Sequence, residues 1–142
     1  DTLKAGGSAF SGGFFPSSAQ PFTDVKNPQV ALFRAKLKKY GASGVSPSGY
    51  TQIGFSQIVT IQNMLNSMSV SRRTGAGIQA KFKSLKNFPI FMAHPATCDG
   101  QQIEGYPAIC NPYVRMVQIY NNRVVPLLDG KWISGLKVSD GK

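Results

Sequence analysis

The chain has 142 residues, 42% of them apolar, and sixteen Lys and Arg face only six Asp and Glu, for a formal charge of +10. That length and composition suit one globular domain with a sizeable core, and no run of about 18 apolar residues marks a bilayer-spanning helix. The basic excess raises the question of an anionic partner.

The opening stretch, "DTLKAGGSAFSGGFF", lacks the basic start and apolar centre of a secretion signal. Such a signal is expected to have been removed or to lie outside the chain. The cations gather in helical stretches: Arg34, Lys36, Lys38 and Lys39 in one, Lys81, Lys83 and Lys86 in another, with Arg72 and Arg73 in a connection. Apolar positions of both helices go to packing and the cations occupy the remaining faces. The charge therefore reads as solvated surface, and nucleic acid is not expected as a partner.

In chain order, "SGGFFPSSAQPF" predicts a short strand at Gly13 to Phe15 and then an irregular Pro/Ser loop. A helix follows, with Asn27 as N-cap, Pro28 at its first position and Gly41 just past its end. Val30, Phe33, Leu37 and Tyr40 recur at helical spacing and are expected to face inward. After the loop Gly41 to Gly49, a second helix runs from about Tyr50 to Met68. Its stripe is Ile53, Ile58, Ile61, Leu65 and Met68, widened by Val59 and Met64; with few charges between, burial on most sides is expected. A third helix is predicted from about Thr74 to Lys86, with Ile78, Phe82 and Leu85 inward.

"GAGIQA" imitates a dinucleotide fingerprint through Gly75, Gly77 and Ala80, but the chemistry needs a buried strand before it. "SVSRRT" is no such strand, and the motif is rejected. "FPIFMAHPATC" reads as an extended apolar run. Cys98 and Cys110 bracket a polar, turn-rich loop, a spacing unlike a CxxC redox or zinc site. A disulfide there is the favoured reading, worth about 3 kcal/mol in the chain-entropy model and pointing to an oxidising compartment; two unrelated buried thiols are the alternative. Two strands, about Val114 to Tyr120 and Arg123 to Leu128, then form a hairpin turned at Asn121 and Asn122.

No catalytic set assembles. His94 is the only histidine and lacks an argued orienting partner or nucleophile. Asp1, Asp24, Asp99, Glu104, Asp129 and Asp140 form no metal-ligand or paired-carboxylate pattern. Neither an enzyme nor a bound cofactor or metal is expected.

Taken together, "GGFFPSSAQPF", "NPQVALFRAKLKKYG", "SGYTQIGFSQIVTIQNML", "TGAGIQAKFKSLKNF" and "VRMVQIYNNRVVPLL" resemble, in order and spacing, the C-terminal part of a type I periplasmic solute-binding protein. The branched-chain amino acid (Leu/Ile/Val) substrate-binding proteins of ABC transporters are the nearest in kind. "TCDGQQIEGYPAIC" resembles a cysteine-bracketed insertion of some Gram-positive members. The likeness spans most of residues 10–130. It implies an α/β fold of two lobes closing on a ligand about a hinge, of which this chain would supply three helices, edge strands and a C-terminal hairpin. Residues 1–18 would be the last strand of lobe 2 and a crossover, 19–95 the helical portion of lobe 1, and 96–142 the final crossover, disulfide loop and hairpin. The sheet of lobe 1 would come from an N-terminal portion of the same protein, since amphipathic helices without a sheet leave apolar faces uncovered.

The same resemblance implies a small amino acid-like ligand, an ABC transporter permease as partner and an extracytoplasmic location. It carries a cleft role onto Phe55, with Tyr50 and Gln52 at the rim and Phe15 and Ser17 near the hinge; core packing is the competing role for Phe55. Groups for the ligand's carboxylate and ammonium would come from the N-terminal portion. A small secreted basic module binding an anionic polymer (nucleic acid or cell-wall glycan) is the alternative function, and the ligand-sensing domain of a receptor is a third.

Overall fold

The computed structural model describes residues 7–41, 44–121 and 123–135. Within them, strand β1 (Phe14–Ser17) precedes helices α1 (Pro28–Tyr40), α2 (Tyr50–Asn66) and α3 (Gly75–Lys83), and strands β2 (Tyr113–Tyr120), β3 (Arg123–Pro126) and β4 (Ile133–Ser134) follow. The class is mixed α/β, with three helices and a four-stranded sheet. β2 is central: it pairs antiparallel with β1, β3 and β4. Residues 1–6, Ala42, Ser43, Asn122 and 136–142 are outside the described residues. With them go Asp1, Asp140 and the second residue of the expected hairpin turn. The first, Asn121, has φ 47°, the left-handed geometry a tight hairpin demands.

The helices form in sequence between two connectors, residues 18–27 and 84–112, that lead from the sheet and back to it. α1 starts as expected: Asn27 accepts from the backbone N–H groups of Gln29 and Val30, and Pro28 costs no hydrogen bond at that position. It ends at Gly41 with φ −72°, so the left-handed cap is absent. Space dictates glycine instead, because a Cβ there would stand 2.4 Å from the Leu37 carbonyl oxygen.

Val30 and Phe33 are fully buried and meet Phe91 and Met92 of the second connector. Leu37, Phe55 and Val59 pack against this cluster. The expected inward place of Tyr40 is not met: its ring is exposed, with the Lys39 and Lys36 ammonium groups 5.0 and 5.8 Å from its centroid. Seven positions on from Phe33, the ring has run past the end of the connector that covers α1.

The larger correction concerns α2. Ile58 is 68% and Ile61 42% exposed, and Ile53 is exposed as well, so these three isoleucines of the predicted stripe face outward and the helix is not buried on most sides, whereas Met64 and Met68 are buried and Val59 packs against the core. Its buried residues are Gln52, Ser56 and Met64. α3 is capped by Thr74, which accepts from the Gly77 N–H, and ends three residues earlier than expected. Leu85 is buried, while Phe82 is exposed. Gly77 is held by the preceding turn (Val70–Arg72): a Cβ would stand 2.0 Å from the Arg72 carbonyl oxygen. That close approach accounts for the glycine without any nucleotide.

"FPIFMAHPATC" is not extended. Phe88 and Ala96 form one isolated antiparallel bridge, and the chain between them turns, with Met92 at φ 56°, to deliver Phe91 and Met92 into the core. Cys98 and Cys110 stand at disulfide distance, with Cα atoms 4.4 Å apart. In the loop they bracket, Asp99 accepts from the Gln102 side chain and the Gln101 N–H. Those bonds, Gln102 foremost, hold its carboxyl below the usual range. The hairpin arm β3 stops at Pro126, which has no N–H for the ladder, short of the expected Leu128.

Candidate functional site

Where β1 runs into the first connector, the chain arches over the inner side of β2 and β3 and meets the start of α2. The arch encloses an open cavity of about 680 Å³. Phe15, Ser17, Tyr50 and Gln52, four of the five residues expected at a ligand site, line it. They come from separate elements, β1 and α2.

Phe55 does not line it. Its ring sits 5.2 Å from that of Phe33 and 5.8 Å from that of Phe91, tilted against both, at the margin of the apolar core. The core role, weighed against the cleft for this ring, is the one its contacts describe. Tyr50 stands at the mouth, 92% exposed, whereas Gln52 is only 5% exposed. One turn of helix thus carries both a rim residue and a floor residue.

Gln52 is oriented by a hydrogen bond from its Nε2 to the Gln20 carbonyl oxygen, 2.5 Å away. Ser56, one turn on, donates to the Phe91 carbonyl, and Thr60, a further turn on, accepts from the Phe91 N–H at 3.0 Å. The inner face of α2 is therefore a polar row at i, i+4 and i+8 that satisfies backbone groups of both connectors. Buried backbone groups need such partners, and the polar row lies inward beside the apolar Phe55, Val59 and Met64.

Chemically the cavity is neutral. No Lys, Arg, His, Asp or Glu is among its lining residues, despite the formal +10 of the chain. It offers apolar surface from Phe15, Val117, Ile119 and Val124 beside the hydroxyl and amide groups of Ser17, Thr51 and Gln52. Such a lining suits the uncharged part of a solute and offers no counter-charge to a desolvated carboxylate or ammonium.

The strand residues were not among those singled out from sequence. Val117 and Ile119 alternate in β2, so period-two reading would have put both on one face. Gln20 carried no such signal, because its role comes from tertiary contacts.

Behind the cavity lies a ring-and-cation cluster. His94 stacks on Tyr113 with centroids 3.8 Å apart and meets Trp132 edge-on at 5.8 Å. Its Nδ1 is 2.8 Å from the Pro95 carbonyl oxygen, and its own carbonyl accepts from Asn111. These contacts account for His94 as a packed loop residue. Arg115 lies 4.5 Å from the Trp132 ring centroid. Burial draws its pKa down from the ordinary value, against the opposing pull of the Asp24 charge.

Among the described residues no three of His, Cys, Asp and Glu come together as a metal site. No described helix is long and apolar enough to cross a membrane. No family model, curated protein or solved structure matches the chain.

Proposed function

We propose that this chain is the C-terminal part of an extracytoplasmic solute receptor of an ABC importer. In this reading, a small amino acid or related metabolite binds between two lobes. The carrying observation is the cavity at the junction of sheet and helices, lined from both sides by Phe15, Ser17, Tyr50 and Gln52. A ligand touching two bodies joined only by connectors stabilises their closed arrangement and shifts the population toward it.

Three further features support the reading. The exposed stripe of Ile53, Ile58 and Ile61 on α2 is apolar surface of the kind that marks a covered face; here its cover is the N-terminal portion of the receptor. The neutral lining of the cavity leaves the ligand's charged groups to that same portion. Cysteines at disulfide distance accord with an oxidising, extracytoplasmic setting. The transporter permease is the downstream partner.

The test is a search for the companion segment by intact mass in the native source, followed by calorimetric titration of the assembled protein with the common amino acids at low and raised salt. Saturable binding of one of them, little changed by salt, is the expected result. Binding that appears only with polyanions and weakens steeply with salt would replace this reading with that of a basic polymer-binding module.

A further inference from the structure

Gln20 is the point where every part of the molecule meets. It belongs to the first connector. Its N–H donates to the Met92 carbonyl oxygen of the second connector at 2.7 Å, and its carbonyl accepts from Gln52 of α2. Its side-chain Oε1 accepts from Arg115 Nη1 of β2 at 2.6 Å. One residue thus ties both connectors, a helix and the central strand, and it lines the cavity.

We infer that Arg115 is a positioning residue that sets the width of the cleft by gripping Gln20, so that the Arg115–Gln20–Gln52 chain acts as a strut between sheet and helices. The inference rests on the solute-receptor reading for its functional consequence, though not for the strut itself. Arg115 is outside the cavity lining and can act on the cavity only through Gln20.

The guanidinium is held from three directions. Its strand position opposite Ser17 is fixed by the β1–β2 register. The face of Trp132 covers it, which restrains the plane of the fork. Nη1 then points at the glutamine oxygen. Arg115 Nε, buried and without a partner among the described residues, shows that only part of the fork is satisfied. A buried donor left unpaired is costly, and the arrangement persists because packing on Trp132 and the Gln20 contact together over-determine it.

The acceptor is also telling. An amide oxygen bonds a cation more weakly than a carboxylate in a fork-to-fork pair, so the grip can loosen when the bodies move. A buried ion pair at the same point would be far harder to part once formed. A neutral acceptor suits a joint that must hold one geometry and release it.

Trp132 is the sole tryptophan of the chain, so its emission reports on the guanidinium above it. The experiment compares the wild-type chain with Arg115→Met, Gln20→Ala and the double variant Arg115→Lys with Gln20→Glu. Amide hydrogen exchange and Trp132 emission are read on the chain without solute, and L-leucine affinity on the same variants of the assembled protein. Exchange at the Gln20 amide should accelerate about tenfold or more in Arg115→Met, the size of one lost charge-assisted hydrogen bond.

Gln20→Ala should alter Trp132 emission although it leaves both Arg115 and Trp132 in the chain, and it guards against a failure of Arg115→Met to fold. The double variant should recover slow exchange, since an ammonium and a carboxylate can rebuild the link. Were Arg115 merely a cover for Trp132, Arg115→Met would change emission and leave exchange at Gln20 unchanged; that result overturns the strut. L-leucine affinity, where the wild type binds it, should fall about tenfold in Arg115→Met and return in the double variant. An unchanged affinity would overturn the claim on cleft width. An assembled wild-type protein that binds no amino acid would sink the receptor reading, while the exchange data would still decide the strut.

Discussion

α1 and α2 follow one another in the chain, and each carries an apolar stripe at helical spacing, yet only α2 adds buried polar side chains to its inward face. α1 buries Val30 and Phe33. α2 buries Gln52 and Ser56 along with Met64 and turns Ile53, Ile58 and Ile61 to the outside. Periodicity identifies residues that share a face; it does not say which face the rest of the molecule covers. Over α1 lies a connector segment offering side chains, Phe91 and Met92. Beside α2 the connectors offer backbone groups, the Gln20 and Phe91 carbonyls and the Phe91 N–H, and these select a polar row.

The contrast is most easily broken at Phe33. Phe33→Ala should cost about 3–5 kcal/mol, the range for truncating a fully buried ring, as read by urea denaturation. A loss under about 1 kcal/mol would mean that the cluster with Phe91 and Met92 collapses to fill the space or is not packed in solution. Next in size is Ser56→Ala on α2. It deprives the Phe91 carbonyl of its donor in a buried setting, and about 1–3 kcal/mol is expected. If Ser56→Ala were neutral while Ile58→Ala were strongly destabilising, the two faces of α2 would have been exchanged.

These residues also measure how much was legible in the sequence. Caps and turns were: Asn27, Pro28 and the hairpin closing at Asn121 act through neighbours a few positions away. Helix existence was legible for the same reason. The orientation of α2 was not, because it depends on Gln20 and Phe91, whose contacts with it span 31 to 35 positions. The candidate site divides along the same line. Phe15, Ser17, Tyr50 and Gln52 were carried to the candidate site by the resemblance, and all four line the cavity. Phe55 was drawn toward the cleft by resemblance alone, and its partners Phe33 and Phe91 belong to other segments. Gln20 lies in a Pro/Ser loop without periodicity and gave no signal.

The helix starts give a smaller contrast. Asn27 accepts two backbone N–H groups at the head of α1, whereas Gly49 at the head of α2 makes no side-chain cap. Asn27→Ala should lower stability by about 1 kcal/mol, followed as a shift of the urea midpoint at constant slope. Since the same helix carries Val30 and Phe33, the loss should appear in the global transition. An Asn27→Ala variant that merely frays the first turn, with an unchanged midpoint, would show that α1 is anchored by its apolar face alone.

The smallest expected effect is the most informative about α2. Ile58 is the most exposed isoleucine of its stripe, so Ile58→Gln removes no core contact, and glutamine is at least as good a helix former as isoleucine. In the chain alone the change should stay within about 0.5 kcal/mol of zero. In the assembled receptor proposed above, the same side chain would lie beneath the N-terminal portion. Exchanging a buried isoleucine for glutamine also buries an amide, and the assembled protein should then lose at least about 2 kcal/mol. The difference between the two measurements isolates the covering surface, since the helix itself is common to both. A loss above about 1 kcal/mol in the chain alone would mean that the stripe is already packed, and α2 would then resemble α1 after all. Equal, near-zero effects in both would leave the isoleucine stripe of α2 uncovered and move the companion's contact elsewhere on the molecule.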